Sequence, residues 1–196
     1  MTKEEIQKLV EIPGKVRGQA LITDIEYISG RFGQEGSDSL KNKIKEWGGL
    51  FDYEKVKIMG WYPVGFRVLS LLAAKDAFLW SDREIFEMGN NAPKYSFIVK
   101  LLMKYFLTPL KTFKESSKYW EKHYSVGDLG YIDFDKKKKQ GAIYLKNFKI
   151  HPVLCAFYRG YFSRIAQYVL KSDRINIEEI KCAFSGDAHH EFLVKW

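Results

Sequence analysis

Both cysteines, Cys155 and Cys182, and three of the four histidines, His151, His189 and His190, fall between positions 151 and 196, while the first hundred residues contain neither type. Thiolate and imidazole are among the side chains that bind zinc. Cys155, Cys182 and His190 supply three of the four donors of a tetrahedral site, with the fourth position left to His189, His151, water or a substrate. The intervals between these residues follow no zinc-finger pattern. On the residues alone a second reading stands beside the first: two small buried hydrophobes and a histidine pair decorating a turn.

Other chemistry is sparse. Glu178 and Glu179 are strand neighbours and so point to opposite faces rather than forming a carboxylate pair. Ser163 and Ser185 have no evident base, and no glycine-rich phosphate loop occurs. Water on a zinc ion with Glu191 as its base is disfavoured, because a strand neighbour of His190 faces away from it. An enzyme is not expected.

The elements that must position these residues can be read from periodicity. A short leading helix ends near Pro13. The stretch "GQALITDIEYISGRFG" places Leu21, Ile25 and Ile28 at helical spacing, and a further helix capped by Ser37 runs to a stop at Gly48-Gly49. The stretch "WYPVGFRVLSLLAAKDAFLW" is apolar almost all round and reads as a buried spine. Ser81 and Glu84 form a capping box for a short helix that stops at "GNNAP". Helices are also predicted over "YSFIVKLLMKYFL" and "LKTFKESSKYWEKHY".

The period then changes from helical to alternating. "GYIDFD" and "GAIYLKNFKI" form a hairpin around Lys136 to Lys139, "PVLCAFYRGYFSRIAQYVL" forms a helix, and "INIEEIKCAF" with "HEFLVKW" forms a second hairpin. The predicted class is α+β: N-terminal helices packed on a small antiparallel sheet of ββαββ order in the C-terminal half. A single domain over 1–196 is expected, mainly helical over 1–125 and ββαββ over 126–196. Across the second hairpin, positions 182 and 190 lie opposite or one step off, and the preceding helix brings Cys155 to the same face.

Almost all of the formal net charge of +8 sits in residues 101–196. Its densest part, the lysine turn, reads as a solvated hairpin tip, so no nucleic-acid partner is expected. No apolar run is long enough to span a bilayer, and "MTKEEIQKLVEIPG" lacks a secretory pattern, so a cytoplasmic protein with free thiols is expected.

"HPVLCAFYRGYFSRIAQYVL" followed by "IEEIKCAFSGDAHHEFLV" resembles the end of the 4-vinyl-reductase-type small-molecule-binding domain. In that family a cysteine leads a glycine-containing apolar helix, followed by Cys, Gly-Asp, Cys and an aromatic residue. Cys155, Gly160, Cys182, Gly186, Asp187 and Phe192 match, and His190 stands where the family has its third cysteine. The likeness covers the C-terminal hairpin region and the helix before it. It implies the superfamily shared with haem nitric-oxide-binding domains and transport protein particle subunits, whose members sense haem, bury acyl chains or assemble complexes.

Haem members require an axial histidine and a Tyr-x-Ser-x-Arg strand. The comparable strand here reads Tyr144-Leu145-Lys146-Asn147-Phe148, without the serine and arginine. His123 stands in a place comparable to that axial ligand, but it reads as a cation favoured by a helix C-terminus. Haem is therefore not expected.

The leading expectation is a sensor domain, of a type used in bacterial signalling, that holds an apolar small molecule or lipid. The pocket is expected between Phe66 and Leu69 of the spine and Phe157, Tyr158, Tyr161, Phe162 and Ile165 of the later helix, with a zinc clamp at Cys155, Cys182 and His190. A homodimer or a signalling partner would read the state of the pocket. The alternatives are a structural interaction module resembling transport particle subunits and a haem-binding sensor.

Overall fold

A computed structural model describes residues 1–96, 99 and 108–196; the predicted helix over "YSFIVKLLMKYFL" lies mostly outside them. Helix α1 (Lys3–Val10) opens with a capping box in which Thr2 and Glu5 satisfy each other's amides. Strand β1 (Lys15–Arg17) pairs antiparallel with β2 (Trp61–Pro63), a two-stranded ribbon whose three-residue strands are too short to show an alternation.

Helix α2 spans Gly18–Glu46 and is broken once, at Gly33, whose φ of 67° and ψ of −159° suit only glycine. The two helices expected in this stretch are thus joined across a kink. Ser37 caps nothing; its hydroxyl donates to the carbonyl of Gly33 at 3.3 Å, closing the turn that the kink opens. Helix α3 (Val64–Ala77) is the predicted spine, with both faces largely buried.

Helix α4 (Asp82–Tyr95) carries the predicted capping box of Ser81 and Glu84, yet continues through Pro93 instead of stopping before it. Burial outweighs the local cost of the proline: Ala92 and Pro93 are both packed inside. Two short helices follow, α5 (Pro109–Lys114), capped by Thr108, and α6 (Ser116–Trp120).

The C-terminal half has the predicted ββαββ order. Strands β3 (Asp128–Asp135) and β4 (Gln140–Lys146) precede helix α7 (Val153–Leu170), and β5 (Asn176–Lys181) and β6 (His190–Lys195) follow it. The sheet order is β3-β4-β6-β5, antiparallel throughout. The lysine turn is a tight tip: Asp135 accepts from the amides of Lys137 and Lys138.

Helix α7 is held from two sides. Its crossing with α4 is close because a side chain on either Gly89 or Gly160 would run into the opposing backbone, a Cβ on each meeting a carbonyl oxygen at 2.0 Å. Against the sheet, Phe162 meets Phe192 of β6 edge to face with centroids 5.2 Å apart. No helix among the described residues is long and apolar enough to cross a membrane.

Candidate functional site

The C-terminal hairpin brings together the residues singled out for metal chemistry. Lys181 pairs with Glu191, so Cys182 stands across from His190. The turn between them is fixed by Gly186, at φ 101°, and by Asp187, whose carboxylate accepts from the amide of Cys182 at 2.8 Å. Cys155, in the first turn of α7, reaches this edge from above: its sulfur lies 3.9 Å from that of Cys182 and 3.9 Å from Nδ1 of His190.

A fourth residue joins them. Glu179 places Oε1 2.8 Å from His190 Nδ1, and one donor atom from each of Cys155, Glu179, Cys182 and His190 lies within 4.8 Å of the others. Simple alternation puts Glu179 on the face of Lys181 and away from Cys182. The register shifts between Glu179 and Lys181, and this bulge at Ile180 turns Glu179 to the inner face beside Cys182. His151 and His189, the residues named for the fourth position, are engaged elsewhere. His151 Nδ1 accepts from the amide of Val153 at the start of α7, and His189 lies against Glu191 and the ring of Tyr144.

His190 is oriented for ligation. Its Nε2 lies 3.2 Å from the carbonyl of Phe148 and its Nδ1 faces the sulfurs and the carboxylate of Glu179, so a metal ion between them would meet the Nδ1 lone pair while Nε2–H donates to that carbonyl. Donors around a tetrahedral zinc ion are separated by roughly 3.3–3.8 Å, close to the sulfur distances here. In the metal-free chain, burial, then Glu179 and Cys182 beside it, push the Cys155 thiol well up, so it stays protonated; a dication reverses that balance.

The second feature is a cavity of about 130 Å³ between α2, α3, α7 and the sheet. Phe157, Tyr158, Tyr161, Phe162 and Ile165 line it, as the helical spacing of α7 predicts. Phe66 and Leu69 do not. Phe66 turns the other way to stack on Phe51 at 4.9 Å, and Leu69 is packed in solid core. One residue along α3 is a rotation of about 100°, and it is Arg67 that faces the cavity.

Arg67 is 2% exposed and forms an ion pair with Asp24, 1% exposed, on α2. Ser70 donates to Asp24 at 2.7 Å, and the Tyr53 hydroxyl lies 2.8 Å from that of Ser70. Burial pushes the Asp24 carboxyl up to about 6 in spite of the guanidinium beside it. Sequence reasoning passed over this pair. The signal was a lone acid within the Leu21–Ile28 stripe and a lone arginine within an apolar helix, two charges that must be buried and must therefore meet.

His123 also lines the cavity, in the turn after α6. It is not the helix-terminal cation the sequence suggested. Burial, reinforced by Arg17, Arg67 and Lys122, lowers its imidazole to about 4, so the ring is neutral at pH 7. Because the unfolded imidazole takes up a proton near its ordinary value of 6.5 and the folded one only near 4, His123 contributes stability above 6.5 that is lost as pH falls toward 4. Thermal melts of wild type and His123→Gln are expected to show a stability difference that shifts in favour of wild type as pH rises from 4 to 6.5, and a flat difference would contradict the burial of this imidazole.

No protein-family model matches the chain, and no curated protein matches it. Solved structures do. An H-NOX protein from S. oneidensis in the Fe(II)NO ligation state superposes with a TM-score of 0.66 at 10% identity, over 91% of this chain and 98% of that one. An oxygen-binding H-NOX domain related to soluble guanylate cyclases gives 0.65 at 10% identity, over 91% and 94%. A protein solved in connection with heme redox potential and porphyrin distortion gives 0.64 at 11% identity, over 92% and 99%. The fold is therefore that of H-NOX domains, in agreement with the superfamily implied by the C-terminal residues. The expectation against haem is corrected on the same finding, since the structures sharing this shell are described by heme redox potential, an Fe(II)NO ligation state and oxygen binding. One ground for it fails in this chain too, because His123 is a neutral imidazole at the cavity rather than a solvated cation.

Proposed function

We propose that this chain is a small-molecule-binding sensor domain whose guest occupies the aromatic cavity against His123. The guest class that the fold supports best is haem. The observation that carries the reading is a shielded, neutral imidazole set in the wall of an apolar hollow, a donor that iron accepts. Haem would be held by His123 at the metal and by the aromatic side chains of α7 that line the cavity, and would supply a site for a diatomic gas. The chain's own residues exclude water from the hollow and keep the imidazole unprotonated.

The hollow as it stands is smaller than a porphyrin, so haem would require its walls to part, and the volume favours a second, smaller guest. A hollow of about 130 Å³ is comparable to an apolar cavity of about 150 Å³ that stays dry and binds benzene. A one-ring apolar compound therefore also fits.

We further propose that Cys155, Glu179, Cys182 and His190 hold a zinc ion as a structural clamp. Cys155 and the cavity-lining Phe157 and Tyr158 share the first two turns of α7. The clamp would fix one cavity wall to the last hairpin, so that a guest displacing α7 alters how that hairpin packs, a change a partner can read.

Titration of the purified chain with haemin, followed by visible absorbance, tests the leading reading. A saturable 1:1 Soret shift that weakens at least tenfold in His123→Ala is expected. No spectral change in wild type, with one-ring compounds binding instead, would transfer the reading to the smaller guest.

A further inference from the structure

The cavity has a polar end that an apolar guest leaves unanswered. Arg67 donates from Nη1 to the carbonyl of Ala20 at 2.6 Å and to Asp24. Its Nε is buried without a hydrogen-bond partner, and so is the hydroxyl of Ser116, which lines the same cavity. A buried donor left unpaired is costly, more so when it is charged. The phenols of Tyr124 and Tyr158 lie beside the guanidinium, and its carbon stands 4.2 Å from the centroid of the Phe157 ring.

The charge balance around this end is positive. Arg17, Arg67 and Lys122 all bear on His123, and the one acid among the buried partners, Asp24, is reached through Nη1 and does not itself line the cavity. Arginine presents a fork of donors in which the Nε edge matches the two oxygens of a carboxylate. Here Nε is the donor of that edge left without a partner, while the phenol of Tyr124 is hydrogen-bonded to the guanidinium.

We infer that the guest carries a carboxylate on an apolar ring body, seated on the Nε edge of Arg67. This rests on the proposal that the cavity binds a small molecule, and it names the chemistry of the guest's head. Two sources share that chemistry: a free one-ring carboxylic acid and a propionate of haem. The near-neutral titration of Asp24 is consistent with either, since a carboxylate arriving at Arg67 lets Asp24 take up a proton rather than crowd three charges together.

The test compares guests that differ only at the head: benzoate, methyl benzoate and toluene, by calorimetric titration, and in parallel haemin against haemin dimethyl ester, by absorbance. Benzoate is expected to bind at least about tenfold more tightly than methyl benzoate, or haemin than its ester by the same factor; whichever pair shows the preference identifies the source. In Arg67→Met combined with Asp24→Asn, which removes both charges together, the preference should vanish while toluene or the haemin ester still binds. Wild type binding the esters as tightly as the acids would overturn the inference and leave the cavity proposal standing, as would a double variant that keeps the preference. Failure of all five compounds to bind wild type would overturn the cavity proposal itself.

Discussion

Arg67→Met is expected to destabilise the chain by about 3–5 kcal/mol, the range for removing one partner of a buried ion pair. The substitution leaves Asp24, 1% exposed, with Ser70 as its side-chain donor among the described residues. Its size is expected to depend on pH. Burial raises Asp24 to about 6 even with the guanidinium present; without it the carboxyl rises further and escapes much of the penalty by staying protonated in acid. The loss should therefore be larger at pH 8 than at pH 5. The double variant Arg67→Met with Asp24→Asn should recover most of it, because no charge is left unpaired. Chemical denaturation at the two pH values checks both statements, and a single variant as stable as the double at pH 8 would contradict them.

Removing the metal is the second large effect. At free zinc a thousandfold above its dissociation constant, a folded-state site contributes about 4 kcal/mol. At about 2–4 °C per kcal/mol for a chain of this size, chelation is expected to lower the melting temperature by about 10 °C. Cys182→Ser should abolish the zinc, measured as one ion per chain in wild type, and should melt where the chelated wild type melts. Glu179→Gln keeps both sulfurs and the imidazole, so its zinc should be retained with weakened affinity. His189→Gln should change neither, since that ring lies against Glu191 and Tyr144 on the other face of the strand. Equal melting temperatures with and without chelator would remove the clamp.

These two sites were unequally visible in the sequence, for physical reasons. The ββαββ order, the Ser81–Glu84 box and the stop at Gly48-Gly49 follow from local signals, and the tail hairpin set Cys182 against His190 by its register alone. Glu179 could not be found this way. A bulge inverts alternation from its position onward, and nothing in the composition of "INIEEIK" marks Ile180 as the extra residue. The kink at Gly33 and the passage of α4 through Pro93 are likewise settled by packing, where burial of Ala92 and Pro93 overrides the local rule. Phe66 was misplaced by one helical step: an all-round apolar helix does not say which face meets a cavity. Arg67 said more than any apolar neighbour, because a charge inside such a helix needs a partner and Asp24 was available on α2. His123 depends chiefly on tertiary surroundings; its neutrality comes from burial and from Arg17 and Arg67, which approach from distant parts of the chain, with its neighbour Lys122 adding to them.

The central claim is that the space between α7 and its neighbours is a binding site rather than a packing defect. Native mass spectrometry after incubation with haemin or benzoate tests it most directly, comparing wild type with Ala166→Phe, whose ring is placed to fill the cavity from a position that lines it. A one-to-one adduct in wild type that is absent from the filled variant, with the same zinc content in both, is the predicted result. An adduct of equal abundance in Ala166→Phe, or none in wild type with either compound, would contradict the claim.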